Sequence, residues 1–384
     1  MSVENIIEKV SQEVQVLEEK LESALPKDVT YLTKVLTKII RNLLILSNTE
    51  TYNKIVKEYN QLMKEGNVIK ANELLVSALE RPVRYAIIVE KSKQAKKNLE
   101  KAIVDAVKSK LKKVNVDKEI IDKALSMIED EEQPLIKICS AIDEAYINAL
   151  RDLIANYVRI TPYWQKYFTN IPALTDYRVG YLITIAPPWR FGKFSAYRLY
   201  IGTAPKKVYQ ILNKQYSRKA KLLFYVTFML ALRPNNPYYK KIFSLRFDTN
   251  KMKILDEASQ FKYGKSINQL SKQEFEELLK WYEYSEDNEA KMFRIKTFYY
   301  AWKESTDIFA HHFWYITRKA LGLPVQKPYP IEHLKHEPYY KPSIAIPITE
   351  LVKKGYKPPA VISKTRKSGE LVFVDVDTGE LIYI

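Results

Sequence analysis

Cysteine and glycine are scarce in this sequence: its 384 residues include one cysteine, Cys139, and 9 glycines. A single cysteine excludes a disulfide framework and any zinc or iron–sulfur site that needs several cysteine ligands. The glycine-rich phosphate loops of nucleoside-triphosphatases and dinucleotide-binding enzymes do not occur, and neither does the zinc-protease motif H-E-x-x-H. The sequence therefore predicts no cofactor and no catalytic residue of these familiar types.

Long hydrophobic runs are missing as well. The longest mainly apolar run, Leu222–Leu232, is well short of the roughly 18 residues that a membrane-spanning helix needs. Glu4, Glu8 and Glu13 stand where a secretory leader would be basic and then apolar, so we expect a cytoplasmic protein without membrane contact. Few glycines, one cysteine and many charges are typical of an intracellular protein from an archaeal-like thermophile.

Acidic residues are missing from one part of the chain. Lysine and arginine together number 62 and aspartate and glutamate 45, which gives a net charge of +17. Residues 1–150 hold 24 of each sign, whereas residues 151–250 hold 17 basic and 3 acidic side chains, with no carboxylate between Asp176 and Asp248. A solvated helical surface normally mixes both signs. This one-sided stretch indicates a polyanionic partner, of which nucleic acid is the commonest.

The N-terminal region has the periodicity of helices. Apolar residues at heptad spacing open the chain at Val3, Ile7, Val10, Val14, Leu17 and Leu21. These apolar residues either pack in the core of the region, or form a contact of residues 3–21 with a second copy or a partner protein. Further helices are predicted from Asp28, from Thr49 to Gly66-Asn67, up to about Glu80, from Pro82 to Val114, and from Asp117 and Pro134. Residues 1–160 are thus predicted to form a charge-neutral helical bundle or helical hairpin array.

Thr161-Pro162 marks the predicted start of a second domain, because the residue before a proline disfavours helix. Its predicted helices cover about 172–185, 194–202, 214–232, 271–283 and 288–321. Six prolines between residues 323 and 348 predict an extended surface segment, and alternating apolar residues around Asp377-Thr378-Gly379 predict a β-hairpin. The predicted fold is mostly α, with domains 1–160 and 161–322 and a tail 323–384 that ends in a small β-hairpin.

Basic and aromatic residues alternate through the centre of the chain. Cations neutralise phosphates and release counterions, and exposed rings stack on unpaired bases. The predicted nucleic-acid contacts are Arg178, Arg190, Lys193, Arg198, Lys206, Lys207, Lys214, Ser217, Arg218, Lys219 and Lys221. The aromatic residues among them are Tyr177, Tyr181, Trp189, Phe191, Tyr197, Tyr200, Tyr209 and Tyr216. We expect most of these rings to lie in the core.

Several short stretches resemble, in the same order, the C-terminal region of a known family. They are Ile171-Pro172-Ala173-Leu174-Thr175-Asp176-Tyr177-Arg178-Val179-Gly180, Arg190-Phe191, Tyr200-Ile201-Gly202-Thr203-Ala204-Pro205, Ser217–Leu223 and Arg233–Tyr239. The family is that of insertion-sequence transposases that use a bridge RNA and pair a RuvC-like DEDD domain with a helix-hairpin-helix domain. The resemblance covers about residues 165–322. It implies a basic, helix-hairpin-helix-like all-α domain that binds nucleic acid.

The catalytic parts of that family have no counterpart in the sequence. Ala173-Leu174-Thr175 stands where glycines would expose backbone N–H groups to a phosphate. The family's nucleophilic serine follows an Ala-Pro pair, but Ala204-Pro205 is followed by Lys206–Leu212, which contains no serine. No DEDD domain precedes the region. The next serine, Ser217, is predicted to cap a helix or to contact a phosphate.

The histidines and the tyrosines are two further candidates for metal binding or catalysis, with weaker support from the sequence. His311-His312 and His333-x-x-His336, with Glu332 and Glu337, contain all four histidines, but no cysteine or aspartate lies near the second pair to complete a zinc site. We therefore predict no metal. Among 28 tyrosines, spacing alone singles out no nucleophile.

These observations together predict a non-enzymatic nucleic-acid-binding protein that grips the backbone of DNA, as duplex or junction, and is associated with the nucleoid. The resemblance implies an origin in a mobile element. One alternative is a degenerate or rewired transposase or recombinase. A second is an RNA-binding scaffold of a ribonucleoprotein, because the resembled family also holds a structured RNA.

Overall fold

The structure, a computed structural model, describes residues 49–113, 144–171, 174–213, 215–232, 237–326, 343–347, 371–375 and 381–382. It divides the chain into two compact units, Met1–Ile160 and Thr161–Ile384, which meet in sequence at the Thr161-Pro162 step. The described residues are mostly helical. Among them, no helix is both long and apolar enough to cross a membrane. The predicted apolar contact of residues 3–21 and the helices predicted from Asp28, Asp117 and Pro134 lie outside the described residues.

The first unit contains three described helices: α1 (49–64), α2 (Val68–Lys113) and α3 (144–159). Gly66 ends α1 in the left-handed conformation at φ +75°, where glycine carries no steric penalty, as the sequence predicts. The N–H of Asn67 then donates to the carbonyl oxygen of Leu62 over 2.9 Å. Arg151 of α3 donates to Glu90 of α2 over 2.6 Å, so this ion pair joins two of the helices.

Helix α2 continues through Pro82, although the sequence predicts a helix end before this residue. A proline removes one helical hydrogen bond and normally breaks a helix interior. Here Leu79, Val83 and Ala86, which flank the proline on one face, are all buried. Burial of this apolar face compensates for the lost hydrogen bond, so packing overrides the local preference.

The second unit contains eight described helices: α4 (Pro162–Lys166), α5 (Asp176–Ile185), α6 (Phe194–Ile201), α7 (Lys206–Leu212), α8 (Arg218–Ala231), α9 (Pro237–Tyr263), α10 (Lys272–Tyr284) and α11 (Asn288–Ala320). Short 3-10 turns lie at Phe168–Asn170, Pro188–Arg190 and Ile267–Gln269. The helix predicted over 214–232 corresponds to α8, which begins at Arg218. Two helices, α7 and the 27-residue α9, were not predicted from the sequence.

Helix α11 organises the second unit. Every side chain from Ile308 to Arg318 is buried, so this half of the helix is covered on all sides. The Phe313 ring stacks on Phe168 at 5.1 Å, and the indole N–H of Trp314 donates to the carbonyl oxygen of Phe191 over 2.9 Å. The other half of α11 packs with α9 and α10 in a separate core. One helix thus fixes α6 and α8 on one half and α9 and α10 on the other.

Three short strands, β1 (Ser343–Pro347), β2 (Leu371–Asp375) and β3 (Leu381–Ile382), form an antiparallel sheet in the order β1-β2-β3. Ala345 pairs with Phe373, and Phe373 pairs with Ile382. The predicted turn Asp377-Thr378-Gly379 lies outside the described residues. Strand β1 falls in the proline-rich segment, for which the sequence predicts only an extended course.

Candidate nucleic-acid interface

The junction between α6 and α8 brings the middle of the basic stretch together. Gly202 ends α6 at φ +80°, and a Cβ atom at this position would lie 2.8 Å from the Cδ2 of Tyr216 and 3.0 Å from the Cδ of Lys221. The N–H of Ser217 donates to the carbonyl oxygen of Tyr200 over 2.9 Å. The end of α6 therefore touches the start of α8, and this close approach needs a glycine.

Helix α7 is fastened to the same junction. The hydroxyl of Tyr209 donates to the carbonyl oxygen of Leu199 over 3.0 Å, and its ring lies 5.3 Å from that of Tyr216 in an edge contact. Only Thr203, Ala204 and Pro205 separate Gly202 from α7, so α7 begins close to the end of α6, which the start of α8 contacts.

Four of the predicted contacts are exposed in those first turns. Lys206 and Lys207 open α7, and Arg218 and Lys219 open α8. None of the four forms an ion pair with a carboxylate in the described part of the chain. The dipole of α8 adds a positive partial charge at its N-terminus, beside Arg218 and Lys219. All four cations are exposed at the start of a helix of the junction.

Ser217 caps α8. Its Oγ accepts a hydrogen bond from the N–H of Ala220 over 3.2 Å, so of the two predicted roles the structure shows the helix cap. Tyr216 and Tyr200 lie on either side of this cap in the junction, and each is 36% exposed. Their rings are therefore accessible for stacking, whereas Tyr181 and Tyr197 are fully buried in the core.

Arg198 is engaged within the fold. Its Nε and Nη2 each lie 2.8 Å from an oxygen of Asp307 on α11, and the hydroxyl of Thr203 donates to the same carboxylate over 2.6 Å. Burial raises the pKa of Asp307, while Arg198 and Thr203 act to lower it. The guanidinium predicted to contact phosphate thus joins α6 to α11, with 37% of the side chain still exposed.

The other predicted contacts are spread more widely. Arg178 lies half-buried on α5, with its guanidinium 5.4 Å from the ring centre of Tyr177. Arg190 and Lys193 are exposed just before α6. Phe191, which lies between them in sequence, packs on Tyr200 at 5.1 Å and so keeps this segment beside the junction. Lys214 lies outside the described residues.

Sequence analysis missed three residues that α8 and α11 bring to the junction: Tyr225, Lys303 and Asp307. Burial, together with Lys221 and Arg198, lowers the pKa of Lys303. The ring of Tyr225 packs on that of Trp302 at 4.9 Å. Nothing in the sequence links residue 303 to residues near 200, because only the packing of α11 on α6 and α8 brings them together.

The comparisons with known proteins give no identity. No family model, no curated protein and no solved structure matches this chain. The relation to the transposase region therefore stays a prediction, and the case for function depends on the geometry of the junction.

The buried histidines offer no metal site. His311 and His312 are both buried in α11, and the Nδ1 of His312 lies 3.1 Å from the hydroxyl of Tyr239. Burial lowers the pKa of both rings, that of His312 to about 3, so both are neutral at pH 7. Within the described ranges no group of three or more His, Cys, Asp or Glu side chains is placed to hold a metal ion. His333 and His336 lie outside those ranges.

The hydroxyl groups near the junction are poorly placed for nucleophilic attack. Ser217 Oγ is occupied by the cap, and the Tyr209 hydroxyl donates to a backbone carbonyl. Burial raises the pKa of Tyr209 to about 12, which disfavours the phenolate. A covalent mechanism needs an activated nucleophile with a base or metal beside it, and the described residues place no such base beside either hydroxyl.

Proposed function

We propose that this protein binds nucleic acid through the α6–α8 junction without performing chemistry on it. The single observation that carries the proposal is that Lys206, Lys207, Arg218 and Lys219 are exposed in the first turns of α7 and α8, two helices fastened to the same junction. The stretch around them has no carboxylate from residue 177 to residue 247. Four cations without local compensation repel one another unless a polyanion neutralises them.

The chemistry of the junction favours contact with the backbone over base readout. Lysine acts as a flexible point charge toward phosphate, and a helix N-terminus adds oriented N–H groups. The exposed rings of Tyr200 and Tyr216 beside these cations offer stacking surfaces for a base or a sugar. We propose DNA, as duplex or junction, as the partner, and RNA as the alternative that the binding assay decides.

In this proposal the two units have different tasks. Residues 1–160, which have almost no net charge, serve contact with a partner protein or a second copy. Residues 161–322 bind the nucleic acid and derive from a transposase C-terminal region that has lost its catalytic parts. The tail 323–384, with its predicted hairpin, is the remaining part of the second unit.

A gel-shift series with full-length protein tests the proposal. The probes are duplex, four-way junction, single-stranded DNA and RNA, each at several salt concentrations. The interface variant combines Lys206→Gln, Lys207→Gln and Lys219→Gln. The matched control removes the same charge at exposed lysines elsewhere, as Lys253→Gln, Lys272→Gln and Lys280→Gln.

We expect log affinity to fall with log salt, with a slope on duplex DNA of about −0.9 for each phosphate contact. The interface variant should lose about 0.9 of slope for each contact removed, and the control should keep the slope of the wild type. Equal losses in both variants would refute the assignment to the junction, and preferential binding of the RNA probe would select the RNA alternative. Nicked DNA or a covalent adduct in the presence of Mg²⁺ would instead establish the recombinase alternative.

A further inference from the structure

Lys221, Tyr225 and Lys303 converge on the side of the junction that faces α11. Lys221 and Tyr225 are one helical turn apart on α8, and the Nζ of Lys221 lies 5.7 Å from the centre of the Tyr225 ring. Across from them, Trp302 packs on Tyr225, and Lys303 and Asp307 lie one turn apart on α11. Arg198 of α6 completes the group through its pair with Asp307.

The Tyr225 hydroxyl has no hydrogen-bond partner there. Tyr225 is only 5% exposed, and its hydroxyl oxygen finds no donor or acceptor among the described residues. A buried polar group without a partner destabilises the folded state. The hydroxyl lies within electrostatic range of Tyr299, Asp307, Tyr209 and Tyr216, of which Asp307 is the partner of Arg198.

Positive charge exceeds negative charge in this group of residues. Lys221 and Arg198 act electrostatically on Lys303, and Asp307 and Glu304 oppose them. Asp307 is paired with Arg198, and Glu304 accepts a hydrogen bond from Asn250 on α9 over 3.1 Å and lies 3.8 Å from Arg246. In the described part of the chain neither the half-buried Lys303 nor Lys221 has a carboxylate within ion-pair distance. The Nζ of Lys221 lies 4.9 Å from the ring centre of Tyr216 and 5.7 Å from that of Tyr225. The group therefore has an excess of positive charge and a hydroxyl without a hydrogen-bond partner.

A single phosphate group meets both needs. Its oxygens accept hydrogen bonds from ammonium and phenol groups together, and its negative charge offsets part of the positive excess. We propose that Lys221, Lys303 and the hydroxyl of Tyr225 form a binding site for one phosphate group, with Arg198 held beside it by Asp307. The phosphate is that of a nucleic-acid backbone, and this last assignment rests on the function proposed above. The same site would accept a free phosphate in the absence of nucleic acid.

The first arm of the test uses inorganic phosphate and full-length protein. Phosphate should raise the melting temperature of the wild type above that in chloride at equal ionic strength, since a ligand that binds only the folded state stabilises it. The rise should disappear in Lys303→Met and persist in Lys280→Met, an exposed lysine of α10. An equal rise in the wild type and in both variants would overturn the site.

Tyr225→Phe tests whether the lost phosphate response of Lys303→Met reflects binding rather than a structural effect of that substitution. It removes one oxygen and leaves the ring against Trp302, so the fold is expected to be kept. Without phosphate this variant should melt at the same or a higher temperature than the wild type, because the unpartnered hydroxyl is gone. With phosphate it should gain less than the wild type. A full phosphate response in Tyr225→Phe would contradict the role of the hydroxyl.

The second arm uses a short DNA duplex. Lys303→Met should lower the salt slope of binding by about 0.9, and Lys280→Met should leave it unchanged. If the wild type binds no nucleic acid, the proposed function fails while the phosphate titration still decides the site. If Lys303→Met loses the response to phosphate but keeps the full salt slope on DNA, the backbone assignment is overturned.

Discussion

A single carboxylate holds the junction to the central helix. Asp307 accepts hydrogen bonds from Arg198 and Thr203, which lie on either side of the Gly202 turn, and so ties the end of α6 to α11. An arginine with two hydrogen bonds to one carboxylate is oriented as well as neutralised. The residue that sets this geometry is acidic, and it lies far outside the basic stretch in sequence.

Asp307→Asn should therefore destabilise the protein. The amide keeps the shape but not the charge, so Arg198 loses its counterion while still partly buried. We expect a loss of about 1–3 kcal/mol in the free energy of unfolding, with solvent screening of the exposed part of Arg198 favouring the lower end. Urea unfolding monitored by circular dichroism measures it. Asp248→Asn, an exposed carboxylate on α9, serves as the control and should change stability by less than about 0.5 kcal/mol.

The two buried histidines predict a loss of stability in mild acid. Burial lowers the pKa of His311 and His312 in the folded protein, that of His312 to about 3, whereas both titrate near 6.5 when unfolded. Below about pH 6.5 the unfolded state thus binds more protons, and stability falls as the pH falls. The loss should approach about 1.4 kcal/mol per pH unit for each histidine.

His311→Phe isolates this effect. The His311 ring lies 4.5 Å from the ring of Phe194 and its Nδ1 has no described partner, so an apolar ring suits the site. Between pH 6 and 5 the variant should lose stability about half as steeply as the wild type. The raised pKa of Asp307 acts in the opposite direction but equally in both proteins. Equal slopes in the two proteins would show that His311 does not titrate in this way.

At the scale of elements, one turn determines whether the basic residues share a surface. Helices α6 and α8 approach so closely at Gly202 that no side chain fits, and α7 is fastened between them by Tyr209. The four exposed cations lie in first turns that this junction positions. A change in the turn should therefore affect both stability and binding.

Gly202→Ala should lower stability by about 1–3 kcal/mol. The left-handed φ of +80° costs a non-glycine residue about 1–2 kcal/mol, and the new Cβ meets Tyr216 at 2.8 Å. Thermal unfolding measures the loss. The matched control is Gly192→Ala, where a Cβ would meet nothing within 4 Å and the φ is not positive. A comparable loss at both positions would show that the close approach does not matter.

At the scale of the whole molecule, the charge is divided between the two units. Residues 1–150 are neutral overall, and the excess of positive charge lies in the second unit. The two units meet in sequence at Ile160 and Thr161, so a cut there separates the neutral part from the basic part. The second unit, which carries the excess of positive charge, should therefore attract a polyanion more strongly than the first.

The separated units should differ in binding. A fragment of residues 1–160 should be helical and bind no nucleic acid, and a fragment of residues 161–384 should retain the affinity and the salt slope of the full chain. Circular dichroism checks the folding of each fragment and gel shift the binding. Comparable affinity in the N-terminal fragment would show that charge distribution does not locate the interface.

The sequence by itself determined those features of the protein that depend on residue type and on local spacing. The mostly helical character, the glycine that ends α1 and the cap at Ser217 follow from spacing and from residue type. The exposure of Lys206, Lys207, Arg218 and Lys219 follows from their charge. The missed helix α9 has a mixed sequence around Asp248-Thr249-Asn250, residue types of low helix propensity, and its packing on α11 decides the outcome.

Tertiary structure alone decided which residues meet. Pro82 lies inside a helix because the surrounding face is buried, and Arg198 pairs with a carboxylate more than a hundred residues away. Lys303 joins the site because α11 packs across α6 and α8. A local pattern extends over only a few turns, whereas the burial of α11 depends on contacts between segments distant in the chain. For that reason the sequence indicates the charges of the candidate interface, and only the fold brings Lys221, Tyr225 and Lys303 together.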